Sequence, residues 1–149
     1  MAAFQGSATT AEIALSAATA KTIIQLVAAS NHRVKLLSWG VYFDGTSTTA
    51  EPVQVRLLRQ TTAGTMTSLT PVKRDDSIGE TLQTTAQHTA TAEPTAGDVL
   101  EVKEVHPQMG YEKIYPFGGE VIIGGGDRLG IEVTAPAVVN VRAEMAFEE

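Results

Sequence analysis

Alternation of apolar and polar residues dominates the chain and is clearest near the C-terminus. From Val139 to Glu148 every odd position is apolar and most even positions are polar. Successive side chains of a strand point to opposite faces. The pattern therefore predicts a half-buried strand with Val139, Val141, Ala143, Met145 and Phe147 on the core. Residues 129–133 alternate in the same way, and Thr134-Ala135-Pro136 supplies a short turn, so the two segments predict a C-terminal hairpin.

The same logic extends upstream. Residues 33–43 read as a long strand with Leu37, Trp39, Val41 and Phe43 inward, ended by the turn chemistry of Asp44-Gly45. Val53, Val55 and Leu57 alternate with Gln54 and Arg56. Leu100 and Val102 alternate with Glu101 and Lys103, and are expected inward, with Val105 out of register at a bulge. Val121-Ile122-Ile123, closed by Gly124-Gly125-Gly126-Asp127, predicts a short strand buried on both faces.

In the alanine-rich stretch, Ile23-Ile24 and the lack of a helical stripe favour strands at 12–16 and 22–28 over a helix. Weaker strand candidates are 69–73 and 80–83, while 46–51, 61–68 and 84–97 read as connections rich in Thr, Ala and Gly. Eight to ten short, regularly spaced strands predict an all-β, single-domain antiparallel β-sandwich or a barrel. Thr-Ala-Glu-Pro occurs at 49–52 and again at 91–94, but the flanks differ, which favours loop composition over a duplicated half-domain.

Composition narrows the functions. The 149 residues are 43% hydrophobic and 19% charged, which is a folding composition. Cysteine is absent, so disulfides, thiolate metal sites and a cysteine nucleophile are excluded. A net charge of −6 with scattered basic pairs argues against nucleic-acid binding. The first twenty residues carry Glu12 and no Lys or Arg, unlike a secretory leader, and no stretch has the length of a membrane span. The expectation is synthesis in a host cytoplasm, with no membrane and no nucleic acid as partner.

No catalytic pattern stands out. His32, His88 and His106 lie far apart, outside any ligand-spaced motif. The neighbours Asp75 and Asp76 would point to opposite faces of a strand, which suits a solvated turn. The Gly124–Asp127 run lacks the spacing of a phosphate loop and is followed by strand pattern. Glu12, Glu101, Glu104 and Glu132 offer carboxylates, but nothing singles out a pair. The expectation is a non-enzyme, with no catalytic residue, cofactor or metal assigned.

Two segments read as contact surface. Residues 1–10, with Phe4 and Gln5 among small side chains, are expected as an extended N-terminal arm ahead of a sandwich at 11–149. Residues 107–119 gather Tyr111, Tyr115 and Phe117 in a Pro/Gly-rich stretch, and such rings either form an interface or cap one end of the sandwich.

Across residues 11–46, 50–65, 91–102 and 128–149, from AEIALSAATAKTIIQLVAASNHRVKLLSWGVYFDGT to RLGIEVTAPAVVNVRAEMAFEE, the chain resembles a group of small phage and prophage structural proteins. The likeness is one of overall texture over nearly the whole chain. It implies a head-decoration (capsid cement) role and a jelly-roll-like sandwich. The partner implied is the major capsid protein on the outer surface of an assembled head, met by a homo-oligomer, commonly a trimer, with arms reaching neighbours. Phe4 and Gln5 would then serve the arm, and Tyr111, Tyr115 and Phe117 a second contact. The competing expectations are a tail or baseplate sandwich recognising a host glycan, and a cupin-type metal enzyme using clustered histidines.

Overall fold

The computed structural model describes residues 4–45, 51–77 and 79–149, and all regular structure among them is strand. In chain order the first strands are β1 (Gln5–Thr9), β2 (Ile13–Leu15), β3 (Ala20–Val27), β4 (Val34–Asp44), β5 (Val53–Gln60) and β6 (Thr65–Leu69). Then come β7 (Val72–Lys73), β8 (Thr85–Ala92), β9 (Ala96–Val105) and β10 (Gly110–Ile114). The last are β11 (Val121–Ile123), β12 (Arg128–Thr134) and β13 (Val139–Glu148).

The strands form two antiparallel sheets packed face to face, a single-domain β-sandwich. One sheet runs β10-β4-β13-β1-β7, with β11 also on β4 and β2 also on β13. The other runs β6-β8-β3-β12-β5-β9. We call them the β13 sheet and the β12 sheet. Their facing sides make the core: Leu36, Trp39, Val41, Met145 and Phe147 from one, and Leu26, Val55, Leu57, Leu129 and Ile131 from the other. Fully burying one such aliphatic side chain contributes about 1.5–3 kcal/mol.

The odd positions of β13 are all buried, as the alternation predicts. The C-terminal hairpin does not form. β12 pairs with β3 and β5, whereas β13 pairs with β1, β2 and β4, so the short turn carries the chain from one sheet to the other. Alternation identifies a strand with one buried face, and either sheet can supply that face.

Three further departures have local causes. Ser38 pairs with Ala146 and Leu36 with Phe147, so Leu37 is an extra residue on β4. This bulge changes the inward parity, and Leu36 is fully buried while Leu37 is only half-buried. β11 lies on an edge, where Ile123 is buried and Ile122 is exposed on the outer face. The supposed connections hold β6 and β8, Thr-rich strands without strong alternation. Residues 69–73 are split by Thr70 and Pro71 between β6 and β7, which lie in different sheets, and 80–83 form no strand.

The chain must also carry β8 to β9 across three strands of the β12 sheet. β8 stops pairing with β3 at His88, beside Thr89 in a left-handed conformation (φ 54°). Beyond that point Glu93 accepts a hydrogen bond from the Thr22 amide at 2.8 Å, and the Thr61 amide donates to the Thr95 carbonyl. The face being crossed holds a buried amide network. Gln25 Nε2 donates to Gln60 Oε1 at 2.6 Å, and Gln60 Nε2 donates to Thr22 Oγ1 at 2.9 Å. Gly130 is needed beneath it, because a Cβ there would run into the Gln60 amide.

The segment expected as an arm is mostly part of the sheet. Residues 5–9 form β1, registered between β13 and β7, with Gly6 and Ala8 buried. Met1, Ala2 and Ala3 lie outside the described residues, as do 46–50 of the first Thr-rich connection.

Candidate interaction surface

The 107–119 segment sits at the lateral edge where β9 of one sheet approaches β10 and β11 of the other. β10 pairs with β4 from Gly110↔Tyr42 to Ile114↔Ser38, and β11 resumes on the same side from Val121↔Leu36. Between them lies the extra residue Leu37, whose carbonyl accepts from the Tyr115 amide at 2.9 Å. The ladder breaks at the bulge, and the chain leaves the sheet as a loop. That loop turns at Pro116–Gly119, where the Gly119 amide donates to the Pro116 carbonyl and Gly118 takes φ 83°.

The three aromatic candidates take two different roles. Tyr111 is half-buried and packs on Trp39, with ring centroids 5.3 Å apart at 47°. Tyr115 is also half-buried. Its hydroxyl accepts from Trp39 Nε1 at 3.1 Å and donates to Glu101 Oε1 at 2.5 Å. Burial is the main reason its hydroxyl is pushed well above the usual tyrosine range, with the Glu101 hydrogen bond adding to it. Phe117 is 97% exposed at the loop tip, and the neighbouring Ile114 is 69% exposed.

Glu101 and Lys103 complete the inner side of this edge. Lys103 Nζ is 3.7 Å from Glu101 Oε2 and 5.5 Å from the Tyr111 ring centre. The inward face of β9 is thus its charged face, opposite to the sequence expectation, and Leu100 and Val102 point outward and are exposed. The inversion is tolerated because the Tyr115 hydroxyl and Lys103 are within reach of the Glu101 carboxylate.

Phe4 is half-buried, with its backbone paired to Glu149 in both directions (3.1 and 2.8 Å). Gln5 is exposed on β1, and its carbonyl accepts from the Arg74 amide at 2.9 Å. These two residues belong to the opposite side of the β13 sheet from Phe117, so the five candidates do not form one site.

Exposed apolar side chains besides Phe117 include Met109 and Ile114, within the 107–119 segment read as contact surface, Leu100, Val102 and Ile122, which were expected to be buried, and Val99, which the sequence reading did not single out. Together with Phe117 they are seven of the ten exposed large hydrophobics among the described residues, divided between β9 of the β12 sheet (Val99, Leu100, Val102) and the β10–β11 side of the β13 sheet (Met109, Ile114, Phe117, Ile122). Their placement on an edge, rather than any motif, reveals them. Tyr42, on the outer face of β4, donates to Glu144 at 2.9 Å; its hydroxyl is pushed up to about 12, first by burial and then by that carboxylate.

Among the described residues no group of three or more His, Asp or Glu side chains is placed to hold a metal. No described helix is long and apolar enough to cross a membrane. No protein-family model matches the chain, and searches of curated proteins and of solved structures return no match.

Proposed function

We propose that this chain is a virion structural protein that docks on the outer surface of an assembled phage capsid and stabilises it. The observation that supports a docking role is the set of exposed apolar side chains on β10, β11 and the loop between them, with Phe117 almost fully exposed on a turn anchored by backbone hydrogen bonds. Exposed aromatic and aliphatic side chains grouped in this way suit the centre of a protein–protein contact. The capsid as partner comes from the sequence resemblance to head-decoration proteins.

The mechanism is mass action. A protein that binds only the assembled lattice lowers the free energy of that lattice relative to its dissociated subunits. A contact of roughly 1,200–2,000 Å² is sufficient for specific docking. Simultaneous contacts to neighbouring subunits add avidity to a modest affinity per site. Ile114, Phe117 and Ile122 form the proposed contact, and Tyr111 and Tyr115 hold the loop from behind.

The test is co-sedimentation with heads of the phage or prophage that encodes the chain. Substituting Phe117→Ser together with Ile114→Ser is expected to weaken binding by at least about tenfold, the scale of an interface hot spot, while leaving thermal unfolding unchanged. Full occupancy by the doubly substituted protein would reject this contact. Failure of the unsubstituted protein to bind heads, with capture on a glycan array, would favour the tail or baseplate reading.

A further inference from the structure

We propose that the partner surface that receives Ile114 and Ile122 is basic, and that one of its lysine or arginine side chains lies on the outer face of the β13 sheet between Glu112 and Glu144. The inference rests on the head-docking reading and adds the chemistry of the lattice site.

Register builds this face. Glu112 on β10 and Glu144 on β13 both lie opposite Gly40 of β4, one from each side. Opposed residues in an antiparallel pair share a face, so two carboxylates flank a position with no side chain. Their strands are two apart, which puts roughly 10 Å between their Cα atoms. The adjoining row runs Ile114, Ser38, Ala146, Ser7. A shallow groove of about 140 Å³ opens over these short side chains, lined by Ser7, Ser38, Arg74, Glu112 and Glu144. Ile114 stands exposed beside it.

Charge identifies what fits. Two basic side chains of this face are already engaged, Lys35 with Glu148 at 3.1 Å and Arg142 with Glu12 at 3.7 Å. Lys113 turns to the inner side of the edge, with Nζ 5.6 Å from the Tyr115 ring centre. Arg74 lines the β1 end of the groove, and among the described residues it forms no ion pair with Glu112 or Glu144. The Tyr42 hydroxyl engages one oxygen of Glu144. Burial and that hydrogen bond do most to raise Tyr42, and the charges of Glu144 and Glu112 add to it, so both carboxylates bear on the same spot. Docking at Ile114 would remove water from Glu112 as well. An apolar or acidic partner would leave that charge unmatched, whereas a basic one supplies its counter-charge.

Co-sedimentation with heads at low and at high ionic strength tests the inference. Binding of the unsubstituted protein is expected to weaken by at least about tenfold as salt is raised. The double variant E112Q/E144Q keeps the side-chain shapes and removes both charges. It is expected to bind at least about tenfold more weakly at low ionic strength and to lose most of the salt dependence. D76N/E80Q changes the net charge equally at exposed positions on the opposite edge and should bind as the unsubstituted protein does. Salt-independent binding, full binding by E112Q/E144Q, or an equal loss in D76N/E80Q overturns the basic-partner inference and leaves head docking standing. No binding of the unsubstituted protein at any ionic strength removes the head-docking reading and this inference with it.

Discussion

β9 and β13 are both ten residues long and both alternate, yet they obey opposite rules. β13 lies inside its sheet, between β4 on one side and β1 and β2 on the other, and its apolar odd positions fill the core. β9 is an edge strand whose Val99, Leu100 and Val102 face solvent, while Glu101 and Lys103 face inward alongside the buried Val105. The difference teaches that alternation specifies two faces without saying which one is buried. In β13 nothing polar lies opposite, so only apolar side chains can be accommodated. At the β9 edge the Tyr115 hydroxyl offers the inward carboxylate a donor, and Lys103 offers a charge. A polar cluster held by the Tyr115 hydrogen bond to one Glu101 oxygen and by the Lys103 charge beside the other then takes the place of an apolar one.

The sharpest way to probe the contrast is at β13. Phe147→Ala empties space beneath a fully buried ring, and urea unfolding should show a loss of about 3–5 kcal/mol. A loss below about 1 kcal/mol would mean that the β13 face is not the packed one.

Tyr115→Phe probes the inward face of β9 more gently. It leaves the buried Trp39 Nε1 without its acceptor and Glu101 without its hydroxyl donor, at a cost of about 1–3 kcal/mol. The same substitution changes the alkaline limb of stability. Because the folded value of Tyr115 is raised, its contribution is complete below the unfolded value near pH 10. Above that pH the unfolded chain loses a proton that the folded chain retains, so stability falls as pH rises. Tyr115→Phe should flatten this decline, leaving the part due to Tyr42, which is also raised. An unchanged alkaline profile would show that the Tyr115 hydroxyl is not held as described.

The smallest effect belongs to the outward face of β9. Val102→Ser should shift thermal stability by less than about 0.5 kcal/mol, because the side chain is exposed. A loss of 2 kcal/mol or more, on the scale of a buried valine, would place Val102 in the core and restore the simple alternation rule.

Legibility followed the same division. β3, β4, β5, β12 and β13 were readable because each carries branched or aromatic residues on at least one face, and these strands line the core. β6 and β8 were taken for connections because their Thr- and Ala-rich sequences lack a hydrophobic period. Pairing with neighbouring strands holds them in place, and their contribution to the core is small: Ala86 from β8 and the partly buried Leu69 from β6. Of the candidate contact residues, Phe117 was legible as an exposed ring in a Pro/Gly-rich stretch. Tyr111 and Tyr115 in the same stretch turned inward, because β10 pairs with β4 in a register that lays them beside Trp39. Phe4 and Gln5 could not be placed from sequence, since β1 draws its order from long-range pairing with β13.

By itself the sequence determined that this is an all-β chain, that its C-terminal strand buries its odd positions and that it has no cysteine chemistry. Those properties depend on side-chain periodicity and composition, which are local. Only the tertiary structure decided which sheet each strand joins, where the insertions at Leu37 and Leu100 reverse the inward face, and which apolar residues stay outside. Those outcomes depend on what lies opposite each residue, and the partners are distant in sequence: Trp39 and Tyr115 are 76 positions apart.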